Sequence, residues 1–114
     1  MPWSTAGRNA RADASAALVT HVSLHSADPG ATGTNEVTGG GYARIAPTYG
    51  AAAGGVADIS AALEFATPAD QGVSHIGFWA TSTWLGGFAR TSGDAAANAA
   101  GEYNVTSAPI TANA

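Results

Sequence analysis

The sequence has no cysteine, which excludes disulfides, thiolate zinc sites and thiol nucleophiles. It has no lysine either. Its cations are Arg8, Arg11, Arg44 and Arg90, scattered singly along the chain. A nucleic-acid binder needs a basic patch to displace counterions from phosphate, so no nucleic-acid partner is expected. Only 11% of residues are charged and the net charge is −4. So little charge weakens solubility and suits a protein embedded in an assembly. Long hydrophobic runs are also missing. Nothing approaches the ~20 apolar residues of a membrane span, and the start, M-P-W-S-T-A-G-R, lacks the apolar core of a signal peptide. The expectation is a soluble protein made in the cytoplasm, with no membrane partner. Aromatics are scarce, with three Phe, three Trp and three Tyr. Alanine supplies much of the hydrophobic content and contributes little area, whereas each aromatic buries ~150–250 Å². A core built of such small pieces hints at oligomerisation or at docking on a larger surface.

What is present fits one domain over residues 1–114. Ser4 or Thr5 can cap an alanine-rich helix running from about 4 to 17. Its expected buried stripe is Ala6, Ala10, Ala14 and Ala17. Trp3, just ahead of the cap, is either a core plug or an anchor on a partner.

The stretch Val22–Arg44 organises the rest. Val22 and Leu24 alternate with His21, Ser23 and His25, the pattern of a strand with one buried face. Asp28-Pro29-Gly30 then makes a turn, and Gly33 and Gly39-Gly40-Gly41 keep the chain irregular. A structureless loop of about 16 residues is longer than most connections in a compact domain, and such loops are usually functional or mobile. Strand resumes at Tyr42–Tyr49, with Pro47 marking an edge or an end. Short strands follow at Val56–Ile59 and Leu63–Phe65, with Glu64 outward. Val73–Ala80 is apolar on both faces and should be central. Strands from Trp84 to Arg90, Tyr103 to Ser107 and Ile110 to Ala112 complete the sheets. The expected fold is mainly β: a single-domain antiparallel β-sandwich, Ig-like or jelly-roll-like, over about 18–112, with a short N-terminal α-helix and a long Gly-rich loop.

Chemistry is sought and mostly not found. His21 and His25 on a strand stand ~13 Å apart, too far to share one metal ion, and His25 reads as hydrogen-bonded at the loop entrance. His75 reads as a core or interface histidine. Asp58 with Glu64, or Asp28 with Glu36, could converge as an acid–base pair only by accident of folding. Gly39-Gly40-Gly41 lacks the Lys-Ser/Thr of a phosphate cradle. Asn104-Val105-Thr106 matches a glycosylation acceptor that nothing else supports. No catalytic residue, metal site or cofactor is expected. Trp79 and Trp84 flank a tight turn; they read as packing, or with Tyr103 as a glycan-stacking platform.

The run S-L-H-S-A-D-P-G-A-T-G-T-N-E-V-T-G-G-G-Y-A-R, from Ser23 to Arg44, resembles a signature of small virion structural proteins in tailed phages of actinobacteria. Those are described as capsid decoration, minor capsid or tail-fibre-like proteins. Ser4–Ala10, Leu63-Glu64-Phe65 and Val73–Trp79 are similar to further blocks of the family, so the likeness covers most of 4–92. The resemblance implies a non-enzymatic virion protein on the capsid exterior. It would stabilise contacts of the major capsid protein as a homo-oligomer, with a trimer the first guess. The docking surface would include Trp3, Arg8, Arg11, Asp28, Pro29, Asn35, Glu36, Tyr42 and Arg44, with Arg44 pairing Glu36 or Asp28 to pin the loop. The alternative is a tail-fibre or baseplate module contacting host glycan through Trp79, Trp84 and Tyr103.

Overall fold

The computed structural model describes residues 4–90 and 96–111; Trp3 lies outside them. The chain begins with helix α1, Thr5–Leu18, capped by Ser4, whose Oγ accepts from the Gly7 amide at 3.1 Å. Such a cap contributes ~1 kcal/mol, yet a helix of this length is marginal alone. Docking holds it. Asn9 Oδ1 accepts from the Gly55 amide at 2.7 Å, and Asp13 Oδ1 from the Ala52 amide at 2.8 Å. These two polar pegs decide which face turns inward. Ala12 and Ala16 are buried, packed with Ala57 and flanked by Tyr49, Ala52 and Ile110. The stripe Ala6, Ala10, Ala14 and Ala17 faces solvent instead. Alanine lies on every side of this helix, so the backbone amides that need an acceptor choose its face.

The architecture is mainly β and antiparallel, as the alternation predicts. Strands β1 (His21–His25), β4 (His75–Ala80) and β5 (Thr83–Ala89) form one sheet in the order β1-β4-β5. Strand β2 (Val56–Ala57) pairs with β7 (Ile110–Thr111), and β3 (Leu63–Ala66) with β6 (Glu102–Val105). The inner face of the first sheet, carrying Val22, Leu24, Ile76 and Phe78, meets Leu63, Phe65, Tyr103 and Val105 of the β3–β6 pair in one core. Strand β4 is central and buried on both faces, as its composition predicts. In β3, Leu63 and Phe65 point in and Glu64 out, again as predicted.

Further expectations fail. Tyr42–Tyr49 forms no continuous strand; its strand-type pairing is confined to the isolated bridges Val22–Ile45 and Tyr49–Ile59. Pro47, which cannot donate to a ladder, interrupts it. Strand β2 stops at Ala57 because Asp58 leaves the ladder. Its carboxylate accepts from the amides of Ile59 and Ala108 and from the Ser107 hydroxyl. Strand β1 also departs from expectation, because it buries both faces: Ser23 and His25 are each 0% exposed. What covers them is Trp79 and Trp84 together with the long loop.

Candidate functional site

The outer face of the β1-β4-β5 sheet has a floor without side chains. Gly77 of β4 stands opposite Gly87 of β5. The Trp84 indole lies across both: a Cβ on Gly77 would meet Trp84 Cζ3 at 2.5 Å, and one on Gly87 would meet Trp84 Cη2 at 3.2 Å. Trp79, paired with Trp84 across the hairpin, meets it edge-on at 5.1 Å. His25 meets the other side of Trp84 edge-on at 5.3 Å. Quadrupoles favour such edge-to-face contacts.

A three-link hydrogen-bond chain runs beneath the rings. His25 Nδ1 lies 2.8 Å from the Thr34 carbonyl, which can only accept, so Nδ1 carries the proton. Nε2 then accepts from the Ser23 hydroxyl at 2.7 Å, and Ser23 Oγ accepts from Trp79 Nε1 at 2.8 Å. Every group is satisfied only with His25 neutral. Burial pushes the His25 pKa below its ordinary 6.5, against the opposing pull of the Thr34 carbonyl.

The loop closes over this floor. Asp28 Oδ1 accepts from the Gly30 amide, the Pro29 carbonyl accepts from the amides of Gly33 and Thr34, and Asn35 Nδ2 donates to the Asp28 carbonyl. Gly33 is then pressed against both tryptophans, where a Cβ would meet Trp84 Cε3 at 2.7 Å and Trp79 Cζ2 at 2.8 Å. Glu36, bridged to His25 in the backbone, holds Arg44 by two bonds of 2.9 Å. The Tyr42 hydroxyl donates to Glu36 and accepts from the Leu24 amide, while its ring stacks on Phe65. The Arg44 guanidinium lies 3.6 Å over the Trp79 ring. At the far end Gly40, at φ +64°, rests directly on the Thr67–Pro68 peptide. The loop predicted to be irregular is therefore a fastened lid with its own hydrogen bonds.

The structure brings together six of the residues singled out from sequence. Asp28, Pro29, Asn35, Glu36, Tyr42 and Arg44 all serve this clamp, and Glu36 rather than Asp28 is the partner of Arg44. Arg8 is half-buried against Gly55, outside this clamp, and Arg11 is exposed on the helix. The glycan platform does not form. Tyr103 is a core residue at 2% exposure, and Trp79, at 7%, is covered by Gly33 and Arg44. Neither suspected carboxylate pair converges, since Asp28 binds local backbone, Asp58 accepts from Ile59, Ser107 and Ala108, Glu36 binds Arg44 and Glu64 faces solvent. Sequence reading missed Ser23, Thr34, Gly33, Gly77 and Gly87. The available signal was a glycine inside the central strand facing a Gly-Gly pair in a neighbour that carries Trp84.

Residues 7–111 match the family described as Podophage GP4 fiber I protein gp80. The chain belongs to that family. No curated protein and no solved structure was found to match. Family membership makes this a phage virion structural protein, and the residues that gave the phage resemblance are the ones that fasten the lid. The match names a podophage fibre protein and carries neither an actinobacterial host nor a capsid-decoration role.

The clamp has a pH signature. Below about 6.5 the unfolded chain binds a proton at His25 that the folded chain refuses, so stability falls as pH drops through that value. Glu36 acts next. Burial works to raise its pKa, but the hydrogen bonds from Arg44 and Tyr42 outweigh burial and hold it below 4.5. Its contribution is present above that value and is lost as pH falls further. Thermal melts across pH 2 to 8 should show a plateau above neutrality and a decline in two stages. His25→Gln should remove the upper stage, and an unchanged upper stage in that variant would refute the assignment.

Proposed function

We propose that this protein is a non-enzymatic structural module of a phage fibre, a single domain that presents a rigid, internally fastened loop from a small β scaffold. The family match carries this reading. The geometry supports it, because the chemistry-bearing side chains of the signature are spent on fastening the lid. At its crown Asp28, Gly30, Ala31 and Thr32 stay exposed. A fastened crown loses little conformational freedom when it docks, which favours affinity from a small contact. Repetition along a fibre then adds avidity.

A second reading, decoration of the capsid exterior through the major capsid protein, is favoured by the likeness of Ser23–Arg44 to decoration proteins. One experiment separates the two: purify particles, separate heads from tails and fibres, and count this chain in each. Copies that follow fibres support the first reading, and hundreds that stay with emptied heads overturn it. Ala31→Arg at the exposed crown should leave the melting temperature unchanged and cut incorporation into particles at least tenfold. Normal incorporation would remove the crown from the docking surface.

A further inference from the structure

Strand β5 is an edge of its sheet, and neither charge nor proline protects it. Among the described residues its outer side pairs with nothing. Its sequence, Thr83-Trp84-Leu85-Gly86-Gly87-Phe88-Ala89, has no charge and no proline. Natural edges are blunted by lysine, proline or inward charges, since bare edges recruit other strands. The one irregularity is the bulge where Phe78 and Trp79 face β5. It leaves Leu85 as the extra residue, and Leu85 lines the groove along the inner side of the strand together with Phe78 and Phe88.

That groove holds about 410 Å³ between β5, the end of α1 and β7, and no charged side chain lines it. Leu18 at 61% and Leu85 at 43% are the large exposed hydrophobics among the described residues, and both border it. A bare backbone edge beside an apolar trough fits an extended strand, whose main chain pairs with the edge while alternate side chains enter the trough.

We propose that the occupant is β5 of a second copy, paired antiparallel about a two-fold axis. A strand meeting its own copy antiparallel forms a closed, isologous contact. Charge selects this face. Each copy carries −4, so repulsion between two copies is least where uncharged surface meets uncharged surface, and neither this edge nor the lining of its trough has a charged side chain. Gly86 and Gly87 let the two backbones approach without side chains between them, and Leu85 of each copy lies against the trough of the other. A strand of seven residues gives ~23 Å of ladder. A stable dimer buries ~800 Å² per partner, about one-seventh of the chain's 5869 Å² surface.

The inference does not depend on where the protein sits in the particle, so it can fail while the fibre reading stands, and the reverse. The test is sedimentation equilibrium of the full chain from 5 µM to 1 mM, with amide exchange of β5 read at both extremes. A dimer is expected, with β5 amides protected only at the high concentration. Leu85→Lys should weaken it at least tenfold. Leu18→Glu, on an exposed helix end, gives the same readout should the first variant fold poorly. A monomer throughout the range overturns the proposal. So does a dimer or trimer that persists in the folded variants, or β5 exchange that ignores concentration.

Discussion

Gly77→Ala should cost ~3 kcal/mol or more, although the new side chain is a single methyl. That methyl would arrive 2.5 Å from Ser23 Oγ, 2.5 Å from Trp84 Cζ3 and 2.7 Å from His25 Nε2. None of these atoms can retreat alone. Ser23 is tied to His25 and Trp79, His25 to Thr34, and Trp84 lies under Gly33. Overpacking costs ~1–3 kcal/mol, and a buried hydrogen bond broken on one side ~1–3 more. Gly72→Ala is the control, with nothing within 4 Å of the added atom. It should be neutral, or stabilising by ~0.4–1 kcal/mol through the unfolded chain. Urea unfolding of both variants reads the difference directly. If Gly77→Ala unfolds at the same midpoint as Gly72→Ala, the tryptophan floor does not exist as described.

The elements were legible where one local signal sufficed. Ser4 before an alanine run is a cap and a helix. Leu63-Glu64-Phe65 declares its faces by alternation, and Val73–Ala80 declares itself central by being apolar on both sides. The mispredicted features share a cause: polar side chains satisfied inside the fold look in sequence like polar side chains facing water. Ser23 and His25 alternate with Val22 and Leu24, so they read as a solvent face, yet each is fully covered. Asn9 and Asp13 lie off the expected alanine stripe of α1 and are its anchors. The glycines of the loop read as freedom, but at Gly33 and Gly40 the backbone is pressed directly against its neighbours. The candidate site was legible only in part, in the Arg44–Glu36 pairing and in His25 at the loop entrance. Which aromatic the loop lands on depends on the β4–β5 register, which no local pattern specifies.

Trp84→Ala should be the most damaging substitution of an aromatic outside the core, at ~3 kcal/mol by comparison with large-to-small changes elsewhere. Trp84 is the one side chain that touches floor, hydrogen-bond chain and lid together: Gly77 and Gly87 below, His25 and Trp79 at its edges, Gly33 above. Its loss should therefore loosen the lid before the sheet. Limited proteolysis should open the chain between Asp28 and Gly41 at denaturant concentrations where β4 amides remain protected. The decisive comparison is a double-mutant cycle with Gly33→Ala. In the intact protein that alanine pays twice, once for a φ of +79° and once for its collision with the two tryptophans. In the Trp84→Ala background the φ cost of ~1–2 kcal/mol remains, while the contacts with Trp84 at 2.7 and 2.9 Å are gone and only Trp79 Cζ2 still stands in the way. The two substitutions should thus cost less together than the sum of their separate effects, by ~1 kcal/mol or more. Strict additivity would mean that the lid does not rest on Trp84, and the loop would return to being a flexible connection whose signature residues need another explanation.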